Sequence, residues 1–200
     1  MLRLLSDTDV ADFRERLIAA AERLFGERGP DGVTMRQLAA ELGVSPMTPY
    51  RYFKDKDAIL AAVRASGFAR FATALEEATA GVTDPRQQSE ATGRAYVRFA
   101  LGNSDAYRLM FDFSQPNESE YPELVEASSR ARTMMARHAE ALVSSGAAKG
   151  DPMMIAHMLW AALHGGLVLQ MAGKLSPEID PSALRRQAFE AILRGLRPDS

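Results

Sequence analysis

Thr48, Tyr50, Arg51 and Tyr52, with Ser45 and Met47 just before them and Lys56 just after, bring hydroxyl, aromatic and cationic groups into one short stretch of chain. That mixture suits recognition of nucleic acid. Cationic side chains pair with phosphate oxygens, while hydroxyl, guanidinium and apolar groups meet base edges. It does not suit covalent catalysis, which needs a nucleophile, a base and an orienting group. None of the three histidines lies near a glycine-flanked serine, and there is no cysteine. Glu76–Glu77 and Glu118–Glu120 read as surface runs, and no phosphate loop or dinucleotide glycine motif is present. The sequence is not expected to encode an enzyme, to carry a cofactor or to bind a metal.

The elements that hold these groups are read from Val33 to Lys56, VTMRQLAAELGVSPMTPYRYFKDK. Thr34 can cap a helix, and Gln37 stands three residues later as its capping-box partner. Met35, Leu38, Ala39 and Leu42 recur on one helical face. Gly43 suits the left-handed residue that ends many helices, and Val44 would plug the turn. A second helix is expected over Ser45 to Phe53, giving a helix-turn-helix whose second helix enters the major groove. Two prolines constrain it. Either Ser45 caps it with Pro46 first, so that Pro49 forfeits a bond to the Ser45 carbonyl, or Thr48 caps it with Pro49 first. The reluctance of a residue before proline to enter the α region favours the second reading. The DNA-facing candidates are Thr34, Arg36, Ser45, Met47, Thr48, Tyr50, Arg51, Tyr52 and Lys56. Arg36 can read guanine bidentately or sit in a solvated pair with Glu41 or Asp31. Tyr50 can touch DNA or pack beneath the domain. Tyr52 should reach a phosphate, as should Lys56 at the next helix start.

These residues resemble the TetR/AcrR family of bacterial transcription regulators. The resemblance rests on AAAERLFGERG at 19–29, on Leu38, Ala39, Gly43 and Val44, and on Tyr50, Tyr52, Phe53, Lys56 and Ile59–Leu60. It covers about the first 60 residues, and Pro49 departs from the leucine common there. It implies a homodimer that binds a palindromic operator, most often as a repressor released by a small molecule. Trp160, His164, Gly165 and Gly166 are similar to the tryptophan–histidine–glycine signature of one C-terminal subfamily. A helical adaptor without DNA binding is the alternative.

The rest of the chain sets the frame. Its 200 residues are 46% apolar with a net charge of −2, so a strongly basic DNA-binding protein is excluded but a local basic patch is not. Strand signals are nearly absent. We expect an all-α fold of about nine helices, with a helix-turn-helix domain at 1–56 and a ligand-binding and dimerisation domain at 57–200. The long helix from about 55 to 79 would couple the two. The charged N-terminus argues against a signal peptide, and no apolar run reaches membrane-spanning length. A soluble, cytoplasmic protein with no membrane partner is expected.

Tyr96, Phe99, Tyr107, Met110, Phe111, Phe113, Met134 and Trp160 are either plain core or, as the resemblance implies, the lining of an apolar pocket. His164, Tyr96 and Tyr107 would orient the ligand, and an apolar or amphipathic effector is expected. His157 and His164 are seven residues apart, roughly 10.5 Å along a helix, which is too far to share a metal. The glycine pair is expected to allow close helix approach at a dimer interface, or a kink. Alanines and glycines between Ala161 and Ala191 suit a four-helix dimer interface.

Overall fold

A computed structural model describes residues 7–112 and 117–197. Phe113, one of the expected pocket residues, lies outside them. Among the described residues there are eight α-helices and no strands: α1 (Asp7–Arg28), α2 (Met35–Glu41), α3 (Lys56–Thr79), α4 (Pro85–Gly102), α5 (Ser104–Met110), α6 (Pro122–Ser144), α7 (Pro152–Met171) and α8 (Pro181–Gly195). Short 3-10 turns occupy Pro30–Gly32, Pro49–Arg51 and Glu118–Glu120. The ninth expected helix, Ser45–Phe53, is not an α-helix.

The chain forms two compact units. One comprises residues 1–70 and 103–129, the other residues 71–102 and 130–200. The first unit therefore extends beyond the expected limit at residue 56. It takes in the start of α3 and recruits α5, which packs along α1. Its core is built on one face of α1: Leu17, Ala21, Leu24 and Phe25 are buried together with Met35, Leu38, Phe53, Ile59, Leu60, Val63 and Leu109. Burial of side chains of this size contributes about 1.5–3 kcal/mol each. Phe53 also carries the Arg14 guanidinium over its ring at 4.5 Å.

The second unit packs α7 against α8 and α4. Ile155, Ala156 and Leu159 of α7 lie in a buried cluster with Ala136, Ala139 and Leu142 of α6, flanked by Phe189, Ile192 and Leu193 of α8. Asp151 caps α7, accepting hydrogen bonds from the backbone N–H of Met153 and Met154. Asp180 caps α8 in the same way through Ser182. In both cases proline takes the first helical position, where a missing N–H costs nothing.

α3 and α7 are each long and apolar enough to cross a membrane, by length and composition alone. This corrects the expectation that no segment would qualify. Isolated polar residues such as His157, His164 and Gln170 break the run without lowering its average enough. Only 28% of the apolar stretch of α7 is buried, against 61% for α3.

Candidate nucleic-acid interface and effector region

The first half of the motif folds as its residues dictate. Thr34 accepts a hydrogen bond from the Gln37 backbone N–H, and the Gln37 side chain accepts one from the Thr34 N–H at 2.8 Å. α2 ends in a glycine cap: Gly43 has φ 65°, its N–H bonds the Ala40 carbonyl, and the Val44 N–H bonds the Ala39 carbonyl. Both bonds satisfy carbonyls that the helix end would leave orphaned. Val44 is half-buried rather than a sealed plug.

The second half departs from an α-helix, and the prolines explain why. Thr48 N–H bonds the Ser45 carbonyl at 2.9 Å and Arg51 N–H bonds the Thr48 carbonyl at 3.1 Å. Tyr52 and Phe53 both donate to the Pro49 carbonyl. The ladder is mostly three residues long because Pro49 has no N–H to give and crowds the preceding carbonyl. Ser45 accepts from the Met47 N–H at 3.3 Å. Thr48 makes no side-chain cap and takes α-region angles despite preceding proline. Pro49 is buried. The recognition element is thus a stiff single turn.

Its outer surface presents Met47, 67% exposed, and Tyr50, 47% exposed, together with exposed Arg51. Arg36 on α2 is also exposed. Neither expected acidic partner is spare for it: Glu41 pairs with Arg23, and Asp31 lies 3.9 Å from the Lys56 ammonium. No hydrogen bond or ion pair joins Arg36 or Arg51 to any described residue. Tyr52 is half-buried and stacks on Phe13 with ring centroids 4.4 Å apart. Lys56 is drawn inward, donating to the Pro30 carbonyl at 2.7 Å, which leaves two of its three N–H donors. The first turn of α3 is capped by Asp55, which accepts from the Ala58 N–H at 2.8 Å.

In the second unit, the Trp160 Nε1–H donates to the Tyr96 hydroxyl at 3.0 Å, and that hydroxyl lies 3.3 Å from His164 Nδ1. With its oxygen accepting from tryptophan, the tyrosine proton can go to the imidazole. Burial lowers the His164 pKa, which keeps the ring neutral and able to accept it. The polar groups expected to orient a ligand here therefore bond one another. Phe71 stacks edge-on against Tyr96 at 5.1 Å, and Phe99 is buried beside it. Tyr107, Met110 and half-buried Phe111 belong to the first unit, where the Tyr107 and Phe111 rings are 5.0 Å apart. His157 is exposed and bonds the Met153 carbonyl.

A cavity of about 290 Å³ opens elsewhere in this unit, between the ends of α3 and α4 and the middle of α6. Its lining includes Met134 from the expected set, but its polar groups are Glu76, Thr79, Gln88, Thr92, Arg137 and His138. The sequence held one usable signal for it. His138 continues the buried stripe of Leu124, Ala131, Met135 and Leu142 on α6, so a histidine had to face inward there.

Residues 17–63 match the family described as bacterial regulatory proteins, tetR family. Residues 89–196 match the tetracyclin repressor-like C-terminal domain. A protein of unknown function from Rhodococcus sp. RHA1 is 32% identical, with a TM-score of 0.80 over 92% of this chain and 95% of that one. A TetR family protein from Vibrio parahaemolyticus is 25% identical, with a TM-score of 0.70 over 93% and 99%. The HTH-type transcriptional activator FasR of Mycolicibacterium smegmatis is 28% identical over 60% of this chain, and the match spans 55% of FasR.

Proposed function

Because the chain belongs to the tetR family of bacterial regulatory proteins, which are DNA-binding transcription regulators rather than enzymes, we propose that it works as an effector-responsive homodimer that represses from a palindromic operator. Residues 1–56 would read DNA, and residues 57–200 would bind the effector and the partner. The observation that carries this reading is the pair of exposed, unpaired cations, Arg36 and Arg51, on either side of the glycine turn. A phosphate would give such a cation a counter-ion, and a guanine edge would give it two neutral acceptors.

Dimerisation is supported by α7. Met154, Met158, Ala161, Gly165, Val168 and Ala172 follow one another at alternating spacings of four and three, and none of them is buried. That is the seam of a helix awaiting another helix. A second copy supplies the matching seam by symmetry. Two recognition turns would then address half-sites about one DNA turn apart, roughly 34–36 Å. α3 runs unbroken from the DNA-reading unit to Leu75–Thr79 at the cavity, so an effector there can favour one position of its other end. The activator name of the FasR relative favours a second reading, in which the same interface recruits transcription.

Mobility shifts with labelled genomic fragments test the proposal. A retarded fragment carrying a palindrome, lost in Arg36→Ala, is expected, with dimer mass by light scattering at micromolar concentration. A monomer that retards nothing would overturn it.

A further inference from the structure

We propose that the cavity at the junction of α3, α4 and α6 is a site for a small hydroxylated carboxylic acid, recognised by Arg137, His138, Thr79 and Thr92. This names the effector class and so rests on the regulator reading above. It departs from the apolar effector expected from the sequence, because the rotation of α6 turns Arg137 and His138, not an aromatic stripe, toward the space.

The chemistry of the wall is specific. His138 is only 7% exposed, yet its Nδ1 has no hydrogen-bond partner. A buried polar atom left unmatched costs about 1–3 kcal/mol, and the histidine that carries it lines this cavity. Burial pushes the His138 pKa down to about 4, and the ring is neutral at physiological pH. Thr79 donates its proton to the Leu75 carbonyl at 2.9 Å, and Thr92 donates to the Gln88 carbonyl at 2.9 Å. Both hydroxyls therefore show the cavity lone pairs. Gln88 spends an amide N–H on the Val82 carbonyl, which directs its carbonyl oxygen elsewhere. The wall is rich in acceptors and calls for a ligand that donates, as a hydroxyl does.

The charge calls for an acid. Glu76 lines the cavity, but Arg130 holds it through both carboxylate oxygens, at 3.1 and 2.5 Å. Arg137 lines the rim with no ion pair to a described residue. Two guanidiniums thus meet one carboxylate, and the unmatched one can take a ligand carboxylate in a charge-assisted fork. The volume limits size: at the ~30 Å³ that a water occupies in the liquid, it holds roughly ten non-hydrogen atoms. Leu75, Ala80 and Met134 supply apolar wall for a short carbon skeleton.

Calorimetry on the full-length protein tests this with 3-hydroxybutyrate, glycerate and salicylate. Butyrate and 1,3-butanediol serve as controls lacking the hydroxyl or the acid. A hydroxy acid should bind at least tenfold more tightly than either control and shift the His138 ring resonances. Arg137→Gln, at an exposed position, should weaken binding tenfold or more. Absence of binding by all three acids at millimolar concentration overturns the assignment, as does unchanged affinity in Arg137→Gln. If a hydroxy acid binds with that Arg137 dependence and operator affinity stays the same, the cavity assignment holds and effector control fails. If operator DNA binds and no hydroxy acid does, the regulator reading holds and the cavity assignment fails.

Discussion

The recognition turn and the α3–α4–α6 cavity use polar groups in opposite ways. Around the turn, several polar side chains are satisfied within a few residues: Thr34 by Gln37, Ser45 by Met47, Asp55 by Ala58. Arg36 and Arg51, which pair with no described residue there, are both exposed. Around the cavity the groups come from three helices, and one of those without a partner, His138 Nδ1, is buried. An unmatched group in water costs little, whereas one in the interior destabilises the fold until something fills it. The turn thus carries its unpaired groups at the surface, whereas the cavity has one inside the fold.

The largest expected effect tests the turn. Arg36→Ala should weaken operator binding about 10- to 100-fold, as loss of a bidentate base contact does, and relax preference at one base pair. Arg51→Ala should instead weaken binding to all sequences and lower the salt slope by about one. Identical behaviour of the two mutants would dissolve the distinction between reading and anchoring on this face.

The next effect tests the cavity through pH. With the folded His138 pKa near 4 and an ordinary value of 6.5 when unfolded, the unfolded chain binds more protons between those limits. Stability therefore falls as pH falls through that window. Acidification from pH 7 to 5 should cost about 2 kcal/mol through this residue. Urea unfolding at both pH values, with His138→Gln as the comparison, reads it; equal pH dependence in the two proteins would show that His138 is not the buried neutral group described. The His164 shift acts in the same direction.

A smaller effect separates local from distant satisfaction. Thr34→Ala should cost about 1 kcal/mol by leaving an N-terminal amide of α2 uncapped, measured by thermal or urea unfolding. A loss well below that would mean that water replaces the cap at no cost.

The same contrast decides what could be read in advance. Capping box, glycine cap, the prolines that open α7 and α8, and the α1 stripe are local patterns, and the residues alone announce them. Proline chemistry was visible at Pro46 and Pro49, but its outcome was not: a single 3-10 turn replaces the helix expected over Ser45–Phe53 because Pro49 withholds a donor in mid-element. The cavity depends on how α6 is rotated against α3 and α4. Periodicity fixes which face of a helix is apolar without saying which neighbour that face meets, so it places His138 inward on α6 but does not show that Arg137 lines the same cavity. Lys56 shows the same limit, since only the fold reveals the Pro30 carbonyl within its reach.

The smallest effect concerns the glycine pair. A Cβ on Gly166 would lie 3.0 Å from Arg185 Cγ, whereas nothing lies within 4 Å of one on Gly165. Gly166 thus serves the α7–α8 contact within one chain, and Gly165 lies on the open seam. Gly165→Ala should stabilise the isolated chain by about 0.5–1 kcal/mol through helix propensity. If the seam is the dimer interface, the same change should weaken association, which sedimentation equilibrium reads. A stabilised chain with unchanged association would move the interface off this line.

The return of α5 to pack along α1 means that the DNA-reading unit is not a contiguous piece of the gene. A fragment ending at Arg70 would leave out Leu109, which is buried in that unit's core. Grafting this unit onto another regulator would therefore need three junctions, one inside α3, one between α4 and α5, and one inside α6. Evolution faces the same restriction: exchanging operator specificity by a single crossover near residue 60 would part α1 from the helix it packs against.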